Sequence, residues 1–263
     1  MRIAIAGGTG WVGRLVVDEA RAAGHTPVVV ARSTGVDLVT GSGLDAALAG
    51  ADAVVDVSNI ATLRRRSAET FFRTVTDRLS AAGARADVGH LVSLSIVGID
   101  RVPSGYYHGK QAQEAAALSG PVPATVLRAT QFHEFAAQML ARRGPLVLAP
   151  RMHSQPVAAR EVARRLVELA AAAPVGHAPD LAGPQPEWMD AMIRRLAHLR
   201  RDRRPVLRLR FPGAVGREMA GTGLLPTGGA TLGTQTFDDW LCSDARVAAG
   251  VPGVAPSTEG RAG

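Results

Sequence analysis

The apolar residues of this chain fall into short blocks that alternate between two periods. Arg2-Ile3-Ala4-Ile5-Ala6 is a compact run, and Pro27-Val28-Val29-Val30-Ala31, Ala53-Val54-Val55-Asp56-Val57, His90-Leu91-Val92-Ser93-Leu94-Ser95 and Ala124-Thr125-Val126-Leu127-Arg128 repeat the pattern. Runs this short and this apolar fit strands buried on both faces. Between them, apolar positions recur at helical spacing: Leu15, Val16 and Ala20 before Gly24, a short stretch over 43–48, then Phe71, Phe72, Val75 and Leu79 over 68–82. An alanine-rich stretch over 106–118 supplies strong helix formers. Alternating strand and helix predict an α/β fold, a doubly wound parallel sheet covered on both faces.

The regularity weakens after about Pro150. Helices are expected over 160–173 and 187–199 and a short one over 237–241, whereas 205–236 is broken by Gly and Pro. Trp188, Met189 and Trp240 read as core. From Ser243 the residues are small and polar, as in a loose tail. The expected organisation is a Rossmann core over 1–150, a smaller substrate-binding region over 151–241 packed on it, and a tail over 243–263.

At 263 residues the chain is long enough for one large α/β domain or a domain with a small lobe. The net charge of +7 raises the question of nucleic acid, because Arg194, Arg195, Arg200, Arg201, Arg203, Arg204, Arg208 and Arg210 crowd together. Aromatics make up only 4%, too few for stacking platforms, and neither helix-turn-helix nor zinc-finger spacing is present. A solvated Arg-rich helix and loop is the preferred reading, so a small-molecule substrate is the expected partner and nucleic acid is not. No apolar run is long enough to span a bilayer, and Met1-Arg2-Ile3 leads straight into a strand, leaving no room for a signal peptide. Cytoplasmic residence is the default. The single Cys242 has no ligand partners, and His133-Glu134 lacks the second histidine of a zinc-protease helix, so no metal is expected. Oligomeric state stays open, a homodimer included.

Gly8-x-Gly10-x-x-Gly13, with Gly7 in a second register, lies after a strand and before a helix. There glycines permit a tight turn and the approach of backbone N–H groups to a dinucleotide pyrophosphate, and the helix dipole favours the anion. Gly7, Thr9, Gly10, Trp11, Val12 and Gly13 are therefore the candidate cofactor loop. The acid expected at the end of the second strand, to hold a free ribose 2′-hydroxyl, is missing: the stretch reads Val30-Ala31-Arg32-Ser33. Arg32 suits a 2′-phosphate instead, which favours NADP(H) and leaves NAD(H) open.

Lys110 is the chain's only lysine, and it stands four residues after Tyr106, one of only two tyrosines. On a helix the two share a face. A fixed cation beside a phenol lowers the phenol's pKa, which makes it a usable proton donor near neutral pH. Tyr107 is adjacent, but spacing selects Tyr106.

The glycine loop, Ser93 and Ser95, and Tyr106-x-x-x-Lys110 stand in the order seen in short-chain dehydrogenases/reductases. Length and glycine spacing resemble the extended and atypical branch, including NmrA-like NAD(P)-binding proteins. Leu94-Ser95-Ile96-Val97-Gly98, residues 106–114 and Leu127-Arg128-Ala129-Thr130-Gln131-Phe132 carry the resemblance, which covers roughly 1–241. It implies that Tyr106 manages the proton at the substrate carbonyl or alcohol. Lys110 would hold the nicotinamide ribose, and Ser95, with Ser93 as runner-up, would bond the substrate oxygen. Asp37 resembles the acid that follows the family's third strand and contacts adenine. Val57 and Ser58, closing the fourth, would line the cofactor beside Asn59, the chain's only asparagine. Gln131, Phe132 and His133 follow the sixth strand, where ligands collect outside an open sheet, and are expected to shape the substrate pocket. The implied activity is an NADP(H)-dependent oxidoreductase acting on a small carbonyl/alcohol pair or an activated alkene. The rivals are an isomerase, epimerase or lyase on the same fold, or a non-catalytic NADP(H)-sensing regulator.

Overall fold

The computed structural model describes residues 1–248. In chain order the elements are β1 (Arg2–Ala6), α1 (Trp11–Ala22), β2 (Thr26–Val30), α2 (Leu44–Leu48), β3 (Ala53–Asp56), α3 (Arg65–Arg85), β4 (His90–Ile96), α4 (Gly105–Ser119), β5 (Ala124–Ala129), α5 (Glu134–Leu140) and β6 (Val147–Pro150). They continue with β7 (His153–Ser154), α6 (Ala159–Ala170), β8 (Gly176–His177), β9 (Leu181–Ala182), β10 (Glu187–Trp188), α7 (Met189–Leu199), β11 (Val206–Leu209), α8 (Gly213–Ala220), β12 (Thr231–Leu232) and α9 (Phe237–Ala248).

The central sheet runs β12-β9-β5-β4-β3-β1-β2, with β8 also on β5, and every pairing in it is parallel. Side chains alternate between its faces. Ile3, Ile5, Val55 and Val92 pack with Val16, Ala20, Val162 and Leu166 of α1 and α6. On the other face Ala4, Ala6, Val54 and Leu91 pack under Leu44, Val75, Leu79 and Ala117 of α2, α3 and α4. Each fully buried Leu, Ile, Val or Phe contributes about 1.5–3 kcal/mol, so these two layers hold the doubly wound arrangement together. The strand order turns back at β1 and β3, which opens a crevice at their carboxyl ends.

A second cluster gathers Met139 and Leu140 of α5, Val147 and Ala149 of β6, Met189, Met192, Ile193 and Leu196 of α7, and Phe237 and Trp240 of α9. The two regions expected to part near residue 150 interleave. α5 and β6 precede that point and pack with the second cluster, whereas α6 and β9 follow it and complete the first. Residues 187–188 are strand rather than helix, pairing with β7 so that Trp188 stacks on His153 at 4.5 Å. Trp188 is accordingly half-buried, while Met189 and Trp240 lie in the core. The stretch over 205–236 contains β11, α8 and β12, and α5 was also unexpected. Their strands are two to four residues long and pair with partners far along the chain, so local periodicity carries no trace of them. α9 runs to Ala248, past the Ser243 where the tail was expected, and 249–263 lie outside the described residues.

Four arginines of the arginine-rich segment, Arg194, Arg195, Arg204 and Arg208, are ion-paired. Asp190, 1% exposed, receives Arg194 at 2.9 Å, Arg208 at 2.9 Å and Arg151 at 3.4 Å. Burial opposes ionisation there, but the hydrogen bonds from Arg194 and Arg208 hold the carboxyl below its ordinary range. Arg195 pairs with Glu187 and Asp238, and Arg204 with Asp202.

Candidate active site

The glycine loop leaves β1 and enters α1 at the crevice. Gly7 has φ +79°, and a Cβ built there would stand 3.0 Å from Ser58 Cα. At Gly13 a Cβ would stand 2.1 Å from the Gly7 carbonyl oxygen, so only a bare α-carbon lets the helix start so close to the loop. Gly10 caps α1 in an extended conformation with no side-chain cap. The N–H groups of Trp11, Val12 and Gly13 open the helix, where no intrahelical acceptor exists. Free N–H groups at the start of a twelve-residue helix whose first turn carries no acidic residue favour an anion. Thr9 is exposed, and its carbonyl accepts from Arg14 Nε at 3.0 Å.

Val57 and Ser58 form the wall facing this loop. Ser58 is buried, and its hydroxyl is without a partner among the described residues. Arg32 is exposed and opens a short 3₁₀ turn directly after β2. Asp37, expected to contact adenine, lies in the loop between β2 and α2. Its carboxylate accepts from Thr40 N at 3.1 Å and Val39 N at 2.7 Å, and those two bonds hold its pKa below the ordinary value. The acid therefore closes its own loop. Beyond that loop a shallow cavity of about 450 Å³ is lined by Val39, Ile60, Arg66 and Phe71 among others.

α4 presents Tyr106 and Lys110 on one face, as the spacing predicts. Both pack on Phe72 of α3, the phenol ring at 5.6 Å edge-on and the ammonium at 4.6 Å from the ring centre. Tyr107 is buried in the second core cluster, against which Tyr106 packs as a partly buried neighbour. The electrostatics differ from the sequence expectation. Burial pushes the Tyr106 phenol up to about 12. Its hydroxyl donates to Asn59 Oδ1 at 2.7 Å. Lys110 Nζ donates to the Leu94 carbonyl at 2.6 Å and to Gln113 Oε1, and burial lowers its pKa to about 8 against the pull of Asp56 and Glu114. The ammonium is thus committed to α4 and β4 rather than to the phenol, and a low dielectric outweighs the cation's effect on Tyr106.

Ser93 and Ser95 point to the same sheet face as α4, both buried with unpartnered hydroxyls. Register separates them. β3 ends with Asp56 opposite Ser93, whereas Ser95 stands two residues further toward the carboxyl edge, opposite Arg128 of β5. Phe132 follows β5 and lies 6.1 Å from Trp11, so one wall of the crevice joins the glycine loop to the expected substrate side. Gln131 is half-exposed beside it. His133 departs from expectation: it is 1% exposed, bonded to the Gln235 carbonyl at 3.0 Å and packed on Phe237 and Trp240. Burial lowers its pKa, and it belongs to the second core.

Two residues were not expected in this network, Asp56 and Gln113. Asp56 is fully buried at the end of β3, and its carboxylate accepts from Gln113 Nε2 at 2.8 Å and Ser58 N at 2.9 Å. A charged residue inside an otherwise apolar strand was the available signal.

No protein-family model and no curated protein matches the chain. Solved structures do. A short-chain dehydrogenase/reductase superfamily protein from Agrobacterium tumefaciens, with bound NAD, aligns with TM-score 0.68 at 18% identity over 95% of this chain and 97% of its own. The UDP-N-acetylglucosamine 4-epimerase of Bacillus cereus aligns with TM-score 0.69 at 16% identity over 97% and 99%. The triphenylmethane reductase of Citrobacter sp., complexed with NADP(H), aligns with TM-score 0.59 at 18% identity over 96% and 85%. With its all-parallel sheet, its glycine loop at the strand reversal and these likenesses along nearly its whole length, the chain has a Rossmann-type fold similar to that of these structures.

Proposed function

We propose that the protein is an NADP(H)-dependent oxidoreductase acting on a small-molecule carbonyl/alcohol pair or activated alkene. The observation that carries the reading is the meeting of an anion-favouring glycine loop, Gly7–Gly13, with Tyr106, Lys110 and Ser95 at the carboxyl end of one parallel sheet. The residues fit a nicotinamide dinucleotide: the glycine positions exclude a Cβ, and buried hydroxyls of Ser58 and Ser95 await partners. Structural neighbours crystallised with NAD or NADP(H) support the same cofactor class.

When bound, the nicotinamide would supply the hydride. Gly7, Thr9, Gly10, Trp11, Val12 and Gly13 would hold the pyrophosphate, Arg32 a 2′-phosphate, and Val57 and Ser58 the cofactor wall. Asp37 would act there by shaping its loop. Ser95 would bond the substrate oxygen, and Tyr106 would give or take its proton. A phenol raised to about 12 stays protonated across the physiological range, which suits a donor. Lys110 has three donors and uses two within the protein, leaving one for a ribose hydroxyl. Gln131 and Phe132 would border the substrate.

A second reading, an epimerase or lyase with no net cofactor turnover, draws support from the 4-epimerase likeness. Binding of NADPH and NADH by calorimetry, then NADPH consumption across an aldehyde, ketone and enone panel, tests the first reading. Tight NADPH binding with turnover is expected. Binding with no turnover of any panel member would favour the second, and no binding of either cofactor would end both.

A further inference from the structure

The site's lysine is held by a buried relay that reaches β3. Lys110 is 5% exposed and its nearest acid in sequence, Glu114, is engaged elsewhere, bonded by Arg128 Nε at 2.8 Å and Nη2 at 2.6 Å. The remaining counter-charge is Asp56, fully buried on β3. The two do not pair directly. Gln113, one turn beyond Lys110 on α4 and 1% exposed, lies between them, accepting from Lys110 at Oε1 and donating to Asp56 from Nε2 at 2.8 Å. An ammonium only donates and an ionised carboxylate only accepts, so the amide has one favourable orientation; the flipped one would oppose like dipoles at both ends.

We infer that Gln113 and Asp56 are positioning residues for Lys110: the Gln113 amide links the Asp56 carboxylate to the ammonium, keeps it charged inside the core and fixes it on the Leu94 carbonyl. The inference rests on the reading of Lys110 as a residue of the cofactor site. It adds a coupling, because Asp56 also accepts from Ser58 N, the residue packed against Gly7. One carboxylate thereby ties the wall of the glycine loop to the lysine. The charged and titratable groups around the ammonium are Asp56 from β3, Glu114 and Tyr106 from α4 and Arg128 from β5, while α3 contributes the Phe72 ring.

A single lysine makes the test direct. Protein grown with ¹³C,¹⁵N-lysine gives one side-chain signal, whose titration reports Lys110 alone. In Gln113→Leu and Asp56→Asn the ammonium's midpoint is expected to fall by about one pH unit or more, a tenfold change in proton affinity. Gln113→Glu places a carboxylate against the ammonium and is expected to raise it. Unchanged midpoints in folded Gln113→Leu and Asp56→Asn would overturn the relay. If those two fail to fold, Gln113→Glu decides, and an unchanged or lower midpoint there overturns it. NADPH binding is measured on the same samples. Absence of binding by the wild type would end the functional reading, while the lysine titration still judges the relay.

Discussion

The Tyr106 hydroxyl donates to Asn59 Oδ1 at 2.7 Å, joining the phenol on α4 to the loop that follows β3. The same oxygen accepts from Ile60 N at 2.8 Å, so the loop is locked while it holds the ring. On the proposed function, substrate would displace or share this bond. Tyr106→Phe is expected to lower kcat by about 10²–10⁴, the usual worth of a positioned proton donor, with cofactor affinity close to wild type. A loss of NADPH binding in place of kcat would assign Tyr106 a structural role.

Replacing Asn59 separates holding from chemistry. Asn59→Ala frees the phenol from its partner and leaves the ring packed on Phe72. The expected result is a smaller loss in kcat than Tyr106→Phe gives, with the double variant no worse than Tyr106→Phe alone. Additive losses would show that the two residues act independently.

The pH dependence has a definite sign. Burial takes Lys110 from its ordinary 10.5 to about 8. Between those values the unfolded chain retains a proton that the folded chain has released, so stability rises with pH across that window. Activity that needs the ammonium moves the other way and falls above about pH 8. From pH 10 to about 12 the buried Tyr106 phenol resists ionisation that the unfolded chain undergoes, and stability falls again. Urea unfolding at pH 7, 9 and 11, set beside a pH–rate profile, checks both directions.

Arg32 is exposed at the end of β2, where an acid would favour a free 2′-hydroxyl. Hydrogen bonds to a charged group contribute roughly 1.5–3 kcal/mol. Arg32→Ala is therefore expected to weaken NADPH about tenfold or more while leaving NADH unchanged, measured by calorimetry. An unaltered NADPH to NADH ratio would remove Arg32 from cofactor selection.

Two substitutions probe the frame. Gly13→Ala sets a methyl 2.1 Å from the Gly7 oxygen, and overpacking of this kind costs about 1–3 kcal/mol or more, with cofactor binding lost as the loop shifts. Asp190→Ala removes the buried carboxylate that three partly exposed arginines share, and losing hydrogen bonds to a charged group costs about 1.5–3 kcal/mol. Asp45→Ala, which removes an exposed partner of Arg85, is the contrast and should cost no more than about 1 kcal/mol. Chemical denaturation measures all three.

Strands β1 to β5, the helices between them and the glycine loop were legible in the amino-acid sequence, because each is encoded locally: apolar period, helix formers and residues that alone tolerate the loop's backbone. The i, i+4 pairing of Tyr106 with Lys110 was legible for the same reason. Tertiary structure decided what local spacing cannot hold. It buried Tyr106 and Lys110, so that low dielectric, not mutual attraction, governs their protons. It brought Asp56 to Gln113 across 57 positions and turned Asp37 onto its own loop. It drew His133 into a core formed with Phe237 and Trp240, more than a hundred residues away. Charge and solvent exposure depend on every element packed around a group, and that packing is set by the whole chain at once.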